Sequence, residues 1–266
     1  MTVPEPYEVY ALRYATVERK AGENYIGGDP HEAGTSMDYY IWLARNTSRT
    51  FVIDTGFNEA SAKRRRRRFL RSPADGLGLL GVDAARVEDV IVTHLHYDHI
   101  GNFDLFPTAR FHLQDSEMAY ATGRYMTAEF FAGAYEQEEI IAMVRNVYAG
   151  RVAFHDGDVE LAPGLSLHHV GGHTMGLQVV RLWTRVGWLV LASDASHYAD
   201  NMNSGRPFPI VFDVGQMIDG RKRMQELVDD PENIIPGHDP AVMKWYQAPD
   251  PSLEDIAVRL DAKRRT

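Results

Sequence analysis

One stretch, Thr93-His94-Leu95-His96-Tyr97-Asp98-His99-Ile100-Gly101, limits this chain more than any other, because it sets four potential metal ligands within six residues. Val90 to Thr93 ahead of it read as a short buried strand, and Gly101-Asn102 behind it as a turn. Positions two apart in extended chain point the same way, so His94, His96 and Asp98 converge on one side. His99 breaks that alternation as the chain turns. One metal cannot comfortably take four ligands packed this tightly, whereas two metals sharing the stretch can. A lone histidine is usually a core or surface residue with satisfied nitrogens. Three histidines and an aspartate buried here without metal would leave several polar groups unpaired, at about 1–3 kcal/mol each.

The chain has 266 residues, of which 44% are hydrophobic, enough for a sizeable core. A net charge of −9 argues against a nucleic-acid partner, which calls for a basic face. There is no cysteine, which excludes disulfides, thiolate zinc sites and thiol nucleophiles and leaves nitrogen and oxygen as metal ligands. Met1 to Tyr10 has neither the basic start nor the apolar run of a signal peptide. No segment approaches the roughly 20 apolar residues of a membrane span. A soluble cytoplasmic protein with no membrane partner is the expectation.

Residues 7–15, 38–44 and 50–53 read as strands, the last ending in Asp54-Thr55-Gly56. The Gly-rich segment 20–36 between the first two reads as a long loop suited to lie over a pocket. Asn58 to Arg71, with Lys63 followed by Arg64 to Arg68, reads as a solvated basic helix in preference to an anion-binding patch, since the rest of the chain is acidic. A short helix near 83–86 and a strand at 89–93 lead into the ligand stretch. Beyond it, a strand is expected at 109–113 and helices at 115–122 and 127–147. Strands at 151–155 and 158–161 should form a hairpin around Asp156-Gly157. Strands follow at 165–170, 177–183 and 187–192, the last two as a hairpin. A helix at 214–228, a very short strand at Ile234-Ile235 and a charged helix over 252–264 complete the chain. This order suggests a single α+β domain over residues 1–266 with layered sheets.

Three more ligand candidates stand at matching places. His173, Asp194 and His238 each follow an apolar strand-like run and sit beside small or turn-forming residues. Each alone is weak, but together with the first stretch they suffice for two metals. The set His94-Leu95-His96-Tyr97-Asp98-His99, Gly172-His173-Thr174, Ser193-Asp194 and Gly237-His238, with the Asp54-Thr55-Gly56 turn, resembles the metallo-β-lactamase superfamily. The pattern runs in order from about residue 38 to residue 240. The resemblance implies an αββα sandwich, two mixed β-sheets flanked by helices, with a dinuclear site at one edge. It also implies that His94, His96 and His173 bind one metal, that Asp98, His99 and His238 bind the other, and that Asp194 bridges them.

Within the superfamily the chain looks most like the N-acyl-homoserine lactonase group, in its seven ligands, the run Asp194-Ala195-Ser196 and the closing Gly237-His238-Asp239. It departs from that group three residues after the bridging aspartate, where a tyrosine is usual and His197 stands here, followed by Tyr198. The implied activity is opening of a small lactone, an acyl-homoserine lactone or related cyclic ester, by attack of a metal-bridging hydroxide. Such a hydroxide is available near neutral pH because metals acidify bound water. His197 or Tyr198 would polarise the carbonyl, and Asp98 would carry the proton to the leaving oxygen. Zinc is the first choice of metal, with manganese, iron or cobalt also suited to these ligands. Substrate contacts are expected from residues 22–36, 126–131 and 198–212. The partner is a small lactone or ester, and the protein a monomer or homodimer. A thioester, carboxylic ester or phosphoester hydrolase of the same fold is the alternative, and a non-catalytic metal-binding module a more distant one.

Overall fold

Side-chain alternation along the two longest strands lays down the architecture. In β1 (Glu8–Lys20) and β2 (Gly34–Arg45), Val9, Ala11, Tyr40, Trp42 and Ala44 face one core. Tyr10, Leu12, Tyr39, Ile41 and Leu43 face another. All of them are buried, so this sheet is covered on both faces. The computed structural model describes residues 3–29 and 31–265, and Met1 and Pro30 of the stretches read above lie outside them.

The remaining strands are β3 (Thr50–Ile53), β4 (Arg68–Phe69), β5 (Asp89–Ile91), β6 (Arg110–Gln114), β7 (Val152–His155), β8 (Val159–Ala162), β9 (Leu165–His169), β10 (Gln178–Thr184), β11 (Gly187–Ser193), β12 (Ile234–Pro236) and β13 (Ala257–Arg259). One sheet runs β13-β1-β2-β3-β5-β6-β7, with β4 also on β1, and its β3-β5-β6-β7 half is parallel. The other runs β12-β11-β10-β9-β8, antiparallel except for β11 and β12. Both are mixed, as expected. Between them pack Trp42, Phe51, Ile53, Leu167, Val180, Leu182 and Leu191.

The α-helices are α1 (Glu59–Arg64), α2 (Pro73–Leu79), α3 (Tyr97–Ile100), α4 (Asp115–Ala121), α5 (Glu129–Ala132), α6 (Gln137–Tyr148), α7 (Ala199–Asn203), α8 (Val214–Glu226) and α9 (Val242–Trp245). Leu77, Tyr120 and Met143 from α2, α4 and α6 cover the outer face of the first sheet. Met224 of α8 and Leu227 beyond it cover the second, on Val179, Val190 and Ala192. The layers are therefore helix, sheet, sheet, helix. None of the described helices is long and apolar enough to cross a membrane.

Several local expectations give way to tertiary contacts. The basic helix stops at Arg64, because Arg66 turns left-handed (φ 56°) and Arg68-Phe69 join the edge of β1. The long helix at 127–147 is broken between α5 and α6. The carbonyls of Gly133, Ala134 and Tyr135 there accept from Arg65 and from the Tyr97 amide instead of from the next turn. Asp156-Gly157 does not close a hairpin. It passes the chain from β7, paired with β6, to β8 in the other sheet, and the Gln114 side chain grips Gly157 at both its amide and carbonyl. The charged C-terminal segment is a strand rather than a helix. Its Ala257, Val258 and Leu260 are buried, and pairing with the open edge of β1 overrides helix propensity. The 20–36 loop is shorter than expected, since β1 runs to Lys20 and β2 starts at Gly34.

Leu167 lies fully buried between the sheets, whereas Tyr148 at the end of α6 is 90% exposed. Leu167→Ala is expected to cost about 2–5 kcal/mol in urea denaturation, and Tyr148→Ala about 0.5 kcal/mol or less. Equal effects would overturn the layer assignment.

Candidate metal centre

Each candidate ligand leaves the same end of its sheet. The chain after β5 runs through Thr93 to His94. His96 precedes α3, which carries Asp98 and His99. His173 follows β9, Asp194 follows β11 and His238 follows β12. The parallel pairing of β11 with β12 sets Ser193 opposite Pro236 and so brings Asp194 and His238 side by side. Two glycines make the close approaches possible. A Cβ at Gly172 (φ 87°) would lie 2.6 Å from the Met217 amide nitrogen, and one at Gly237 2.5 Å from the Ser193 carbonyl oxygen. Asp54 and Ser193 adopt left-handed conformations (φ 62° and 44°), strain held at the rim of the site.

Asp194 is the centre of the arrangement. Its Oδ2 lies 3.1 Å from His173 Nε2 and 3.7 Å from His94 Nε2. Its Oδ1 lies 3.0 Å from His238 Nε2 and 3.3 Å from His99 Nε2. His96 Nδ1 completes the first group, 3.0 Å from His94 Nε2 and 2.9 Å from His173 Nε2. Asp98 Oδ2 completes the second, 3.7 Å from both His99 Nε2 and His238 Nε2. One carboxylate thus faces two separate groups, and all seven residues are buried.

The outer nitrogens decide what the inner ones offer. His173 Nδ1 and His238 Nδ1 donate to the carbonyls of Ile210 and Asp38, at 2.7 and 2.9 Å. His99 Nδ1 donates to Asp54 Oδ2 at 2.7 Å. The Thr93 hydroxyl gives its hydrogen to Asp54 Oδ2, so at 3.1 Å it accepts from His94 Nδ1. Four histidines therefore hold their Nδ1 protons outward and turn Nε2 towards the centre, the orientation that ligation requires. His99 Nε2 is buried with no hydrogen-bond partner. Burial and the neighbouring imidazoles hold His94 and His96 far below the usual histidine range, in the neutral form a metal takes. Burial alone would also lower His99 and His238, but the facing carboxylates hold both above their ordinary value. A cation held here would supply the same positive charge in place of those protons. The donor set fits two divalent metals.

Sequence reading noted the Asp54 turn but not its work. Asp54 also accepts from the Thr93 amide at 2.8 Å, so it fixes both the backbone entering the ligand stretch and the His99 ring. Glu117 was missed altogether. It is buried and accepts from the Leu95 and Gly176 amides, the Thr174 hydroxyl and the Tyr135 hydroxyl, clamping the His94–His96 and His173 segments together. Burial raises its pKa. Its neighbours in sequence, Asp115, Ser116 and Met118, give no signal that sets it apart from a surface acid at a helix start.

A cavity of about 340 Å³ opens above the cluster, walled by Tyr39, Phe130, His197, Phe208 and Ile210 among others. His197 Nε2 lies 3.0 Å from Asp194 Oδ2, and the ring stacks on Phe208 with centroids 3.6 Å apart. Burial pushes its pKa down to about 3. Tyr198 is not on this wall, and its hydroxyl donates to the Ser36 carbonyl. The Gly-rich loop does not line the cavity either. It braces the 198–212 loop, through Ile26 N to Pro207 O and Asn201 Nδ2 to Asn24 O, while Arg19 and Met37 on the flanking strands reach the wall.

Asp54→Asn keeps size but lets the amide nitrogen face His99 Nδ1–H. It is expected to weaken metal retention about 10- to 100-fold in chelator competition. Unchanged retention would show that Asp54 serves only the Thr93 backbone. Removing metal from the wild type should lower Tm, since about 4 kcal/mol of stabilisation accompanies a ligand held at 1,000 times its Kd.

The family model of the Metallo-beta-lactamase superfamily matches residues 35–238. An N-acyl homoserine lactonase of Bacillus cereus is 29% identical over 152 residues, covering 56% of this chain and 55% of that one. The N-acyl homoserine lactonase AiiB of Agrobacterium fabrum is 34% identical over 128 residues, covering 46% and 45%. The chain thus matches about half the length of these curated relatives. Among solved structures, an N-acyl homoserine lactone hydrolase with the product N-hexanoyl-L-homoserine bound at its catalytic metal centre superimposes with a TM-score of 0.76 at 21% identity, over 93% of this chain and 98% of that one. The dizinc quorum-quenching lactonase AidC does so with a TM-score of 0.68 at 16% identity, over 100% and 97%. At such identities the structural likeness is one of fold, and with the family match it settles the lineage: the chain belongs to the metallo-beta-lactamase superfamily.

Proposed function

We propose that the protein is a dinuclear metal-dependent hydrolase that opens a small lactone, with acyl-homoserine lactones as one substrate class. The observation that carries this reading is the Asp194 carboxylate facing two separate ligand groups on the floor of a cavity. The similarity to N-acyl homoserine lactonases supports the choice of substrate. His94, His96 and His173 would hold one metal, Asp98, His99 and His238 the other, and Asp194 both. Zinc is the metal proposed, since the all-nitrogen-and-oxygen set suits it. When bound, the metals supply Lewis acidity and a water acidified to near neutral pH. Residues 1–266 act as a single domain on a small molecule, as a monomer or homodimer.

The remaining steps fall to side chains. His197 stays neutral over the physiological range and presents Nε2–H to the cavity. In a metal-loaded site, where Asp194 would serve as a ligand, that N–H would be the donor for the substrate carbonyl as charge develops on its oxygen. Phe208 fixes the ring plane by stacking. Tyr198, committed to Ser36, is a positioning residue for the loop rather than a donor to substrate. Asp98 lines the cavity and carries the proton to the leaving alkoxide oxygen.

The test is a lactone panel followed by pH-stat, with protein of known metal content. It should hold short and long acyl-homoserine lactones, γ- and δ-lactones, an aromatic lactone and a thioester control. Lactone opening is expected, lost in His96→Ala. His197→Phe should lower kcat about 100- to 1,000-fold, while Tyr198→Phe should stay close to wild type. Two metals per chain with inert lactones and a cleaved thioester or phosphoester would overturn the substrate. Asp98→Asn with both metals retained and an unchanged rate would remove the proton role.

A further inference from the structure

The run Lys63–Arg68 divides into arginines with different tasks. Arg64 and Arg65 pair with Glu136, at 3.4 and 2.7 Å. Arg65 also donates to the Gly133 and Tyr135 carbonyls and lies 3.9 Å over the Tyr97 ring, so its charge and its donors are used. Arg66 and Arg68 are exposed. Arg67 is half-buried and lines the cavity above the metal centre, beside Tyr97 and Asp98. Its Nε donates to the Tyr97 hydroxyl at 3.2 Å and its Nη1 to the Arg65 carbonyl at 2.9 Å. These bonds fix the guanidinium, and Tyr97 passes its own hydrogen on to Tyr39 at 3.3 Å. Among the described residues, no acceptor takes Arg67 Nη2 and no carboxylate stands within ion-pairing distance of it.

The cavity wall holds one other arginine outside this run, Arg19, and Glu23 faces it at 3.7 Å. The carboxylates on the wall are Asp98 and Asp194, both of the metal centre. Two divalent cations outweigh their charge, so a loaded cavity is positive in a chain whose net charge is −9. An immobilised guanidinium whose Nη2 is left without an acceptor in such a cavity is a charged donor for an anionic group on the ligand, and a carboxylate matches it.

We propose that Arg67 recognises a free carboxylate on the substrate, so that the preferred substrate is a lactone carrying an anionic substituent besides the bond that is opened. This rests on the lactone-hydrolase reading above and narrows it. Met37, Phe130, Phe208 and Ile210 supply the apolar wall for the rest of the molecule.

The experiment compares a γ-lactone bearing a carboxymethyl group with its methyl ester, on metal-loaded protein. The acid should exceed the ester in kcat/KM by about tenfold or more. Raising the ionic strength should lower the acid's value and leave the ester's in place. Arg67→Gln should collapse the ratio, and Arg67→Lys should keep part of it. In calorimetry, the ring-opened acid should bind more tightly than the ring-opened ester, and Arg67→Gln should abolish the difference. If Arg67→Gln fails to fold, the wild-type salt dependence and Arg67→Lys decide. Equal turnover of acid and ester by the wild type, or a ratio untouched in Arg67→Gln, overturns the proposal and leaves the lactonase reading standing. If neither lactone opens, the lactonase reading falls, and equal binding of the two ring-opened compounds would dispose of the role of Arg67 as well.

Discussion

The carboxylate of Asp194 depends on two sheets being held in fixed relation, and most of the fold serves that end. Its partners His94 and His99 come from the segment after β5 in the first sheet, while His173 and His238 come from the second. Contacts of about 3 Å to both sides tolerate little sliding of one sheet over the other. The aromatic and aliphatic packing between the sheets, from Trp42 and Phe51 to Leu182 and Leu191, prevents it, because a close-packed interior does not deform continuously.

Around the ligands, a second set of polar groups fixes each ring. Asp54, Thr93, and the carbonyls of Asp38 and Ile210 each accept from an outer imidazole nitrogen. Glu117 ties the two ligand segments together from behind. The result concentrates inward-facing imidazole nitrogens and carboxylate oxygens within about 3–4 Å of one another, a donor set suited to cations. The left-handed backbone at Asp54 and Ser193 belongs to the same design: local strain persists where the surroundings over-determine it.

The cavity above this floor has distinct walls. His197 stacked on Phe208, with Phe130 and Ile210, gives an apolar and aromatic side. Arg67, anchored by Tyr97, gives a charged one. Asp98 and Tyr97 are neighbours on α3, so the charged wall is built on the same short helix as Asp98 and His99 of the buried cluster.

Sequence alone carried the histidine and aspartate residues that the structure brings together, the mixed-sheet sandwich and most of the strands, because these depend on local signals. Tightly spaced histidines, strict side-chain alternation and turn-forming residues at strand ends are legible without a partner. What it misjudged depends on partners far along the chain. Residues 252–264 have a helix-like charge pattern, yet Ala257–Arg259 within them become a strand because β1 offers an open edge. Asp156-Gly157 carries a hairpin signal, yet β6 and β9 claim the strands on either side of it for different sheets. The basic run reads as a solvated helix, but pairing of β4 with β1 ends it and turns Arg65 and Arg67 towards the cavity. Glu117 gives no clue of its own, since its four donors come from segments scattered over residues 95 to 176. The choice between His197 and Tyr198 is likewise one of direction: adjacent side chains diverge, and only packed neighbours settle which of them meets the cavity and which meets the Ser36 carbonyl.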